Sequence, residues 1–246
     1  MTDKKILLAL SAKSSGKGIL RFVNGFVAGD NVSIRLCILD DEPGEMMAHE
    51  EILDDISSIC FSKSIPLRID HLVNGNQERL FSMAAFSDLL VVEKSVLQFL
   101  AIGHDFPANS CASIAVPEEF NFISNILLIT DGSRQSIQGV KQFFQIFPKL
   151  SGNPDVNWLS IESGTENLSS EEERLLLDYL NQYSKNVGVL KVEEPITGKL
   201  LKPIRYDFHT VVVSNINYLL SKYGEDEAFK PFFDNQSTLF FPAMTA

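Results

Sequence analysis

A chain of 246 residues carrying a formal net charge of −11 and a pI near 4.8 is a poor candidate for a nucleic-acid surface, which needs clustered Lys and Arg to displace phosphate counterions. Its 45% apolar and 22% charged content are ordinary globular values and argue against disorder. No apolar run approaches the length of a bilayer span, and Met1-Thr2-Asp3-Lys4-Lys5 leads only into a short one, so neither a leader nor a membrane anchor is expected.

In chain order, Ile6 to Leu10 is a continuous apolar run of the kind a strand covered on both faces shows. A polar turn, Ser11 to Gly16, precedes Ile19, Leu20, Phe22, Val23, Phe26 and Val27 at helical spacing, and Gly29-Asp30-Asn31 stops that helix. Val32 to Leu39 reads as a second strand, and Asp40-Asp41-Glu42-Pro43-Gly44 as a loop. Met46, Ile52, Ile56, Ile59 and Cys60 place a helix over Glu45 to Ser62. The strand Leu67 to Val73, the helix Gln77 to Phe86, the strand Leu89 to Val92, a helix over Val96 to Ile102 and the strand Ala112 to Val116 complete a first unit, closed by Pro117. Strands alternating with helices predict a parallel sheet with right-handed crossovers.

Glu118 to Ser124 reads as a linker, after which the order repeats. The strand Ile126 to Thr130 ends in Asp131-Gly132-Ser133 and feeds a helix from Arg134 to Phe147 with Ile137, Val140, Phe143, Phe144 and Phe147 inward. Val156 to Ile161 follows as a strand. Ser169-Ser170-Glu171-Glu172 is a helix start with acids in the first turn, and that helix carries Leu175, Leu176, Tyr179, Leu180 and Tyr183. Then come the strand Val187 to Val192, a helix over Gly198 to Tyr206, the strand Val211 to Val213, a polar insertion from Ser214 to Gln236, and the strand Ser237 to Phe241 before Pro242. Matching Ile6 with Ile126 sets Leu89-Leu90-Val91 against Val211-Val212-Val213 and Ala115-Val116-Pro117 against Phe240-Phe241-Pro242. The expected domains are therefore 1–118 and 124–246, each a five-stranded, mostly parallel α/β sheet with helices on both faces.

This ordered set resembles the universal stress protein family. The resemblance rests on the turn Asp131-Gly132-Ser133, on an aspartate before a late apolar strand (Ser87-Asp88-Leu89-Leu90-Val91-Val92), and on a small residue, a short strand and a proline (Cys111-Ala112-Ser113-Ile114-Ala115-Val116-Pro117). It implies a Rossmann-like fold used twice in tandem, as an intramolecular pseudo-dimer through the last strands, with a role in stress adaptation. Family members that bind ATP carry G-x2-G-x9-G-S/T after the fourth strand, because glycines let backbone N–H groups surround phosphates. Here the corresponding stretches are Val92-Glu93-Lys94-Ser95-Val96-Leu97, where Glu93 would repel a phosphate, and Val213-Ser214-Asn215-Ile216-Asn217-Tyr218. Neither matches. The opening acid survives only as Asp131, the first unit having Ser11.

Two functions follow from these residues. The first is a non-catalytic interaction protein with no cofactor, acting on protein partners in the cytoplasm. The second is a nucleotide-binding protein, with slow ATP hydrolysis as its extension, holding ATP in the second unit through Asp131, Gly132, Ser133, Ser214 and Asn215; against it, Asp131-Gly132-Ser133 also reads as a plain helix cap. Ser14-Ser15-Gly16-Lys17-Gly18 fails as a P-loop, since Gly18 stands where Ser or Thr should hold magnesium, and reads as a solvated helix start. His49, His71, His104 and His209 have no paired ligand spacing, and Ser160 and Ser163 lack a nucleophile-elbow frame, so neither a metal nor a serine hydrolase is expected. Cys37, Cys60 and Cys111 read as buried thiols in a reducing compartment. The acid runs Asp40-Asp41-Glu42 and Glu171-Glu172-Glu173 read as solvated faces, and Ser214 to Gln236 as a lid, a docking helix or an amphipathic helix packed on its own domain. Tandem fusion already supplies one interface, so a monomer is expected, with a further homodimer as the alternative.

Overall fold

A computed structural model describes residues 4–11, 14–27, 32–40, 50–73, 77–94, 111–120, 125–148, 150, 153–162, 167–193, 210–213 and 237–243. The helices expected over Val96–Ile102 and Gly198–Tyr206, and the insertion Ser214–Gln236, lie outside these residues. The chain divides into two compact units, residues 1–121 with 243–246, and residues 122–242.

In the first unit the strands are β1 (Lys4–Ser11), β2 (Val32–Asp40), β3 (Leu67–Val73), β4 (Leu89–Glu93) and β5 (Ala112–Val116). They stand in the order β3-β2-β1-β4-β5, and the described pairings are parallel. Leu7, Leu8, Ala9 and Leu10 are each wholly buried, which is why the run is continuous rather than alternating: β1 is the middle strand and both its faces are covered. Helices α1 (Lys17–Phe26) and α2 (Glu50–Ser62) lie against each other, and Lys63 ties them by donating from Nζ to the carbonyls of Asn24 and Val27 at 2.7 and 2.9 Å. Helix α3 (Gln77–Ala84) covers the other face, where Met83 Sδ sits 3.9 Å from Cys37 Sγ. Two connections step one way along the sheet and the third steps back, so right-handed crossovers put α3 opposite α1 and α2.

The aspartate before the late strand has a mechanical task. Asp88 accepts from the Lys5 backbone N–H at 2.7 Å, and its own N–H donates to the Lys5 carbonyl at 2.8 Å. This reciprocal pair fastens the start of β4 to the start of β1 and fixes their register.

The second unit repeats the plan with β6 (Asn125–Thr130), β7 (Asp155–Glu162), β8 (Val187–Glu193), β9 (Thr210–Val213) and β10 (Thr238–Phe241), ordered β10-β9-β6-β7-β8 and paired in parallel. Helix α4 (Arg134–Ile146) packs through aromatic rings on α5 (Ser170–Leu180) and on β10: Phe144 meets Tyr179 edge-on at 6.1 Å and stacks on Tyr183, just beyond α5, at 4.4 Å, and Phe143 meets Phe240 edge-on at 5.0 Å. Trp158, buried in β7, donates from Nε1 to Thr130 Oγ1 at 2.9 Å, so two polar atoms in the core satisfy each other.

The apolar residues of α5 divide between two environments: Leu176 and Leu180 are buried and Leu175 is 56% exposed. Two expectations need correction. Glu172 and Glu173 are not merely solvated. Glu172 completes a capping box with Ser169 and pairs with Arg134 at 2.6 Å, while Glu173 pairs with Lys191. The repeat alignment also shifts by one residue in the late strands. Ile6 pairs with Leu89 and Ile126 with Thr210, so Leu89 corresponds to Thr210, not Val211. By the same register Ala112 corresponds to Thr238, since Leu89 pairs with Ala112 and Thr210 with Thr238.

Candidate functional site

Strand order 3-2-1-4-5 creates a switch point between the first and fourth strands of each unit, where successive connections leave in opposite directions. Open α/β sheets place ligands there, outside the carboxyl ends of the strands. The two units treat this position differently.

In the first unit β1 ends at Ser11 and α1 begins after Gly16. Gly16 sits at φ +70° as the N-cap and offers no side chain to cap the helix. A residue from elsewhere does so. Glu93, at the end of β4 and only 3% exposed, accepts from the Gly18 N–H through Oε1 at 3.1 Å. A carboxylate therefore occupies the positive end of α1, where an anionic ligand group would otherwise be held. There is little spare room. A Cβ on Gly18 would fall 2.4 Å from the Pro117 carbonyl oxygen, and one on Gly16 would fall 2.8 Å from Ile52. Ser14 donates both N–H and hydroxyl to the Ser11 carbonyl at 2.9 Å. The segment expected to be a solvated helix start is thus largely enclosed: Ser14, Gly16 and Gly18 are buried, and Lys17 alone of the five is exposed.

In the second unit the helix is capped locally. Ser133 is the N-cap of α4, and its Oγ accepts from the Ser136 N–H at 3.2 Å. Asp131 Oδ1 accepts from the Ser133 N–H at 3.0 Å and from the Ser133 hydroxyl at 2.6 Å. Gly132 takes φ +75°, and a Cβ there would lie 3.4 Å from Asn167 Oδ1 and 3.8 Å from Ser160 Oγ. Asp131 is half-buried at the carboxyl end of the central strand, with Ser160 at the end of β7 beside the turn. Ser214 and Asn215 lie outside the described residues. Counting along the strands from Thr210, Ser214 corresponds in sequence to Glu93. In sequence, a serine therefore stands in the second unit where the first has its acid.

Among the described residues no group of three or more His, Cys, Asp and Glu could hold a metal ion, and no helix is long and apolar enough to cross a membrane. The three cysteines are free and buried. Burial pushes the Cys37 thiol up to about 12 and the Cys111 thiol up to about 11, away from the thiolate a nucleophile needs. Sequence reasoning read Glu93 only as a group that would repel phosphate. The available signal for its role was an acid ending an otherwise apolar strand, opposite a helix whose N-cap, Gly16, has no side chain.

This is the fold of the universal stress proteins. The chain is similar to a universal stress protein from Archaeoglobus fulgidus DSM 4304, with a TM-score of 0.60 at 9% identity over 99% of this chain and 97% of that one. It is also similar to a functionally unknown protein from Pseudomonas aeruginosa PAO1, with a TM-score of 0.58 at 11% identity over 98% and 92% of the two chains. No protein-family model matches the sequence. No curated protein matches it.

Proposed function

We propose that the protein is a non-catalytic interaction module of the stress-response type, working in the cytoplasm through protein partners rather than by turning over a substrate. One observation carries the reading: the buried Glu93 carboxylate takes the place at the α1 N-terminus where a ligand's phosphate would be held. A triphosphate there would meet a negative charge in a poorly solvated site, and like charges at close range in such surroundings repel by several kcal/mol. The fold shared with a universal stress protein supports the class, and three buried, reduced thiols support a reducing compartment. The experiment is a pull-down with the full chain from cells under starvation and oxidative stress, paired with an ATP-hydrolysis assay. Specific partner recovery with no hydrolysis above background supports the reading; sustained hydrolysis that Asp131→Ala abolishes contradicts it.

A second reading has an observation of its own. The second switch point has Asp131 at the central strand's end, and the sequence has Ser214 where the first unit has Glu93, so a nucleotide held by Asp131, Gly132 and Ser133 with Ser214 and Asn215 is the alternative. Asp131 Oδ1 already accepts two hydrogen bonds from Ser133, which favours capping over ligand contact. Mass spectrometry of freshly purified, denatured protein separates the two: copurified nucleotide that disappears in Asp131→Ala selects the second reading, and none selects the first.

A further inference from the structure

Strand β8 ends the strand order of the second unit, so among the described residues one side of its backbone has no neighbouring strand. A free strand edge is a template for another chain, and charged side chains are a common guard against that. The first unit carries Arg68 and Asp70 on its own edge strand, β3; the matching places in β8 hold Gly188 and Leu190. Val189 is 43% and Leu190 37% exposed, and Gly188 is exposed beside them. The charge nearest the middle of the strand, Lys191, is turned back onto its own unit, where it pairs with Glu173 and with Glu162.

Backbone pairing fixes which residues of this edge face outward. The Val156 N–H donates to the Asn186 carbonyl at 3.0 Å, so the Asn186 backbone faces β7, and by the alternation of a strand Gly188, Leu190 and Val192 do the same. The N–H and C=O groups of Val187, Val189, Lys191 and Glu193 therefore point to the free side.

Charge is spread unevenly along the edge. At its far end Glu193 stands opposite Glu162 in the register with β7, and Glu173 joins them through Lys191, so three carboxylates gather around one ammonium group. That end is acidic. Just before the strand lies Lys185, exposed; Asp155 shares the same hollow but accepts from Asn186 Nδ2 at 2.8 Å and makes no ion pair with the lysine. Among the described residues neither Lys185 nor Glu193 has an ion-pair partner. An edge with a cation at its start and acids at its end is complementary to a second copy of itself running the other way.

We propose that β8 is the contact of a homodimer in which two copies of the strand pair antiparallel about a two-fold axis at Val189. In that register Val189 and the partner's Val189 exchange both backbone hydrogen bonds, which their outward N–H and C=O groups allow. Gly188 lies opposite the partner's Leu190, a bare position against a large side chain, and Lys185 lies alongside the partner's Glu193. The charges select this register. An axis at Gly188 would set Lys185 against the partner's Lys191, and one at Leu190 would carry Lys185 past the partner's Glu193. Each copy has a net charge of −11, and the two Lys185 contacts bring cation to acid where general repulsion would oppose approach. The contact is independent of the switch points, and its failure leaves the proposed function untouched.

The test is sedimentation equilibrium on the full chain from micromolar to millimolar concentration, where a reversible dimer is expected. Val189→Pro deletes an outward N–H and spares the β7–β8 ladder, the edge position at which a strand tolerates proline; it is expected to abolish the dimer with circular dichroism unchanged. Lys185→Glu and Glu193→Lys each set like charges together at both symmetric ends and are expected to weaken association roughly tenfold. Combining the two substitutions reverses both charges and is expected to restore wild-type association. A monomer throughout the range overturns the proposal, as does a dimer that folded Val189→Pro leaves unchanged. Should Val189→Pro fail to fold, the charge exchange decides alone: single variants without effect, or a double variant that restores nothing, overturn the pairing about Val189.

Discussion

Glu93 and Gly18, 75 residues apart, are joined by a buried 3.1 Å hydrogen bond from the glycine N–H to the carboxylate. The bond turns the first switch point from a place that receives an anion into one that contains it. The second unit, built on the same strand order, caps its helix with Ser133 and has no acid at the corresponding position. One duplicated scaffold thus gives two solutions to the same problem of orphan N–H groups at a helix start.

Glu93→Ala removes the acceptor and leaves a buried donor unsatisfied. It is expected to cost about 2 kcal/mol in urea unfolding, the range for a charge-assisted buried hydrogen bond, whereas Glu93→Gln, which keeps an acceptor, loses less. Added formate should recover part of the loss in Glu93→Ala and none in the wild type. Equal stability of wild type and Glu93→Ala would mean the carboxylate does not cap α1.

Asp70 sets an acid-side dependence. The hydrogen bond from Arg35 holds its carboxyl below the usual 3.8, and burial opposes that shift without reversing it. A depressed carboxyl contributes stability above its unfolded value and loses it as pH falls through the folded one. Asp70→Asn should therefore cost about 2 kcal/mol at neutral pH, and the gap should close below pH about 4. A gap that stays constant down to pH about 2 would show that the ion pair is not its source.

Thr210 carries a buried hydroxyl with no hydrogen-bond partner among the described residues. The register sets it at the place Leu89 holds in the first unit, where an apolar side chain suffices. Thr210→Val keeps the shape and removes the desolvation cost, so thermal unfolding should shift upward, by about 1 kcal/mol in stability. A downward shift would show that the hydroxyl is satisfied.

Much of the fold was legible because its strands are buried on both faces. Runs such as Leu7 to Leu10 and Leu89 to Val92 announce themselves without context. Asp88 and the turn at Asp131 were visible as punctuation, although the reciprocal bond to Lys5 needs the neighbouring strand. The sites were less legible because they are made of distant residues. Glu93 caps a helix 75 residues away along the chain, and Arg35, Arg68 and Arg79 meet only once β2, β3 and α3 are side by side. The one-residue slip at Thr210 has the same origin: similar valines and leucines align equally well in two registers, and backbone pairing chooses between them.

Titration of the full-length protein with ATP and magnesium by calorimetry bears most directly on the central claim. The account predicts no heat of binding attributable to the first unit, in wild type or in Asp131→Ala. One-to-one micromolar binding that survives Asp131→Ala would place a nucleotide against Glu93 and contradict it.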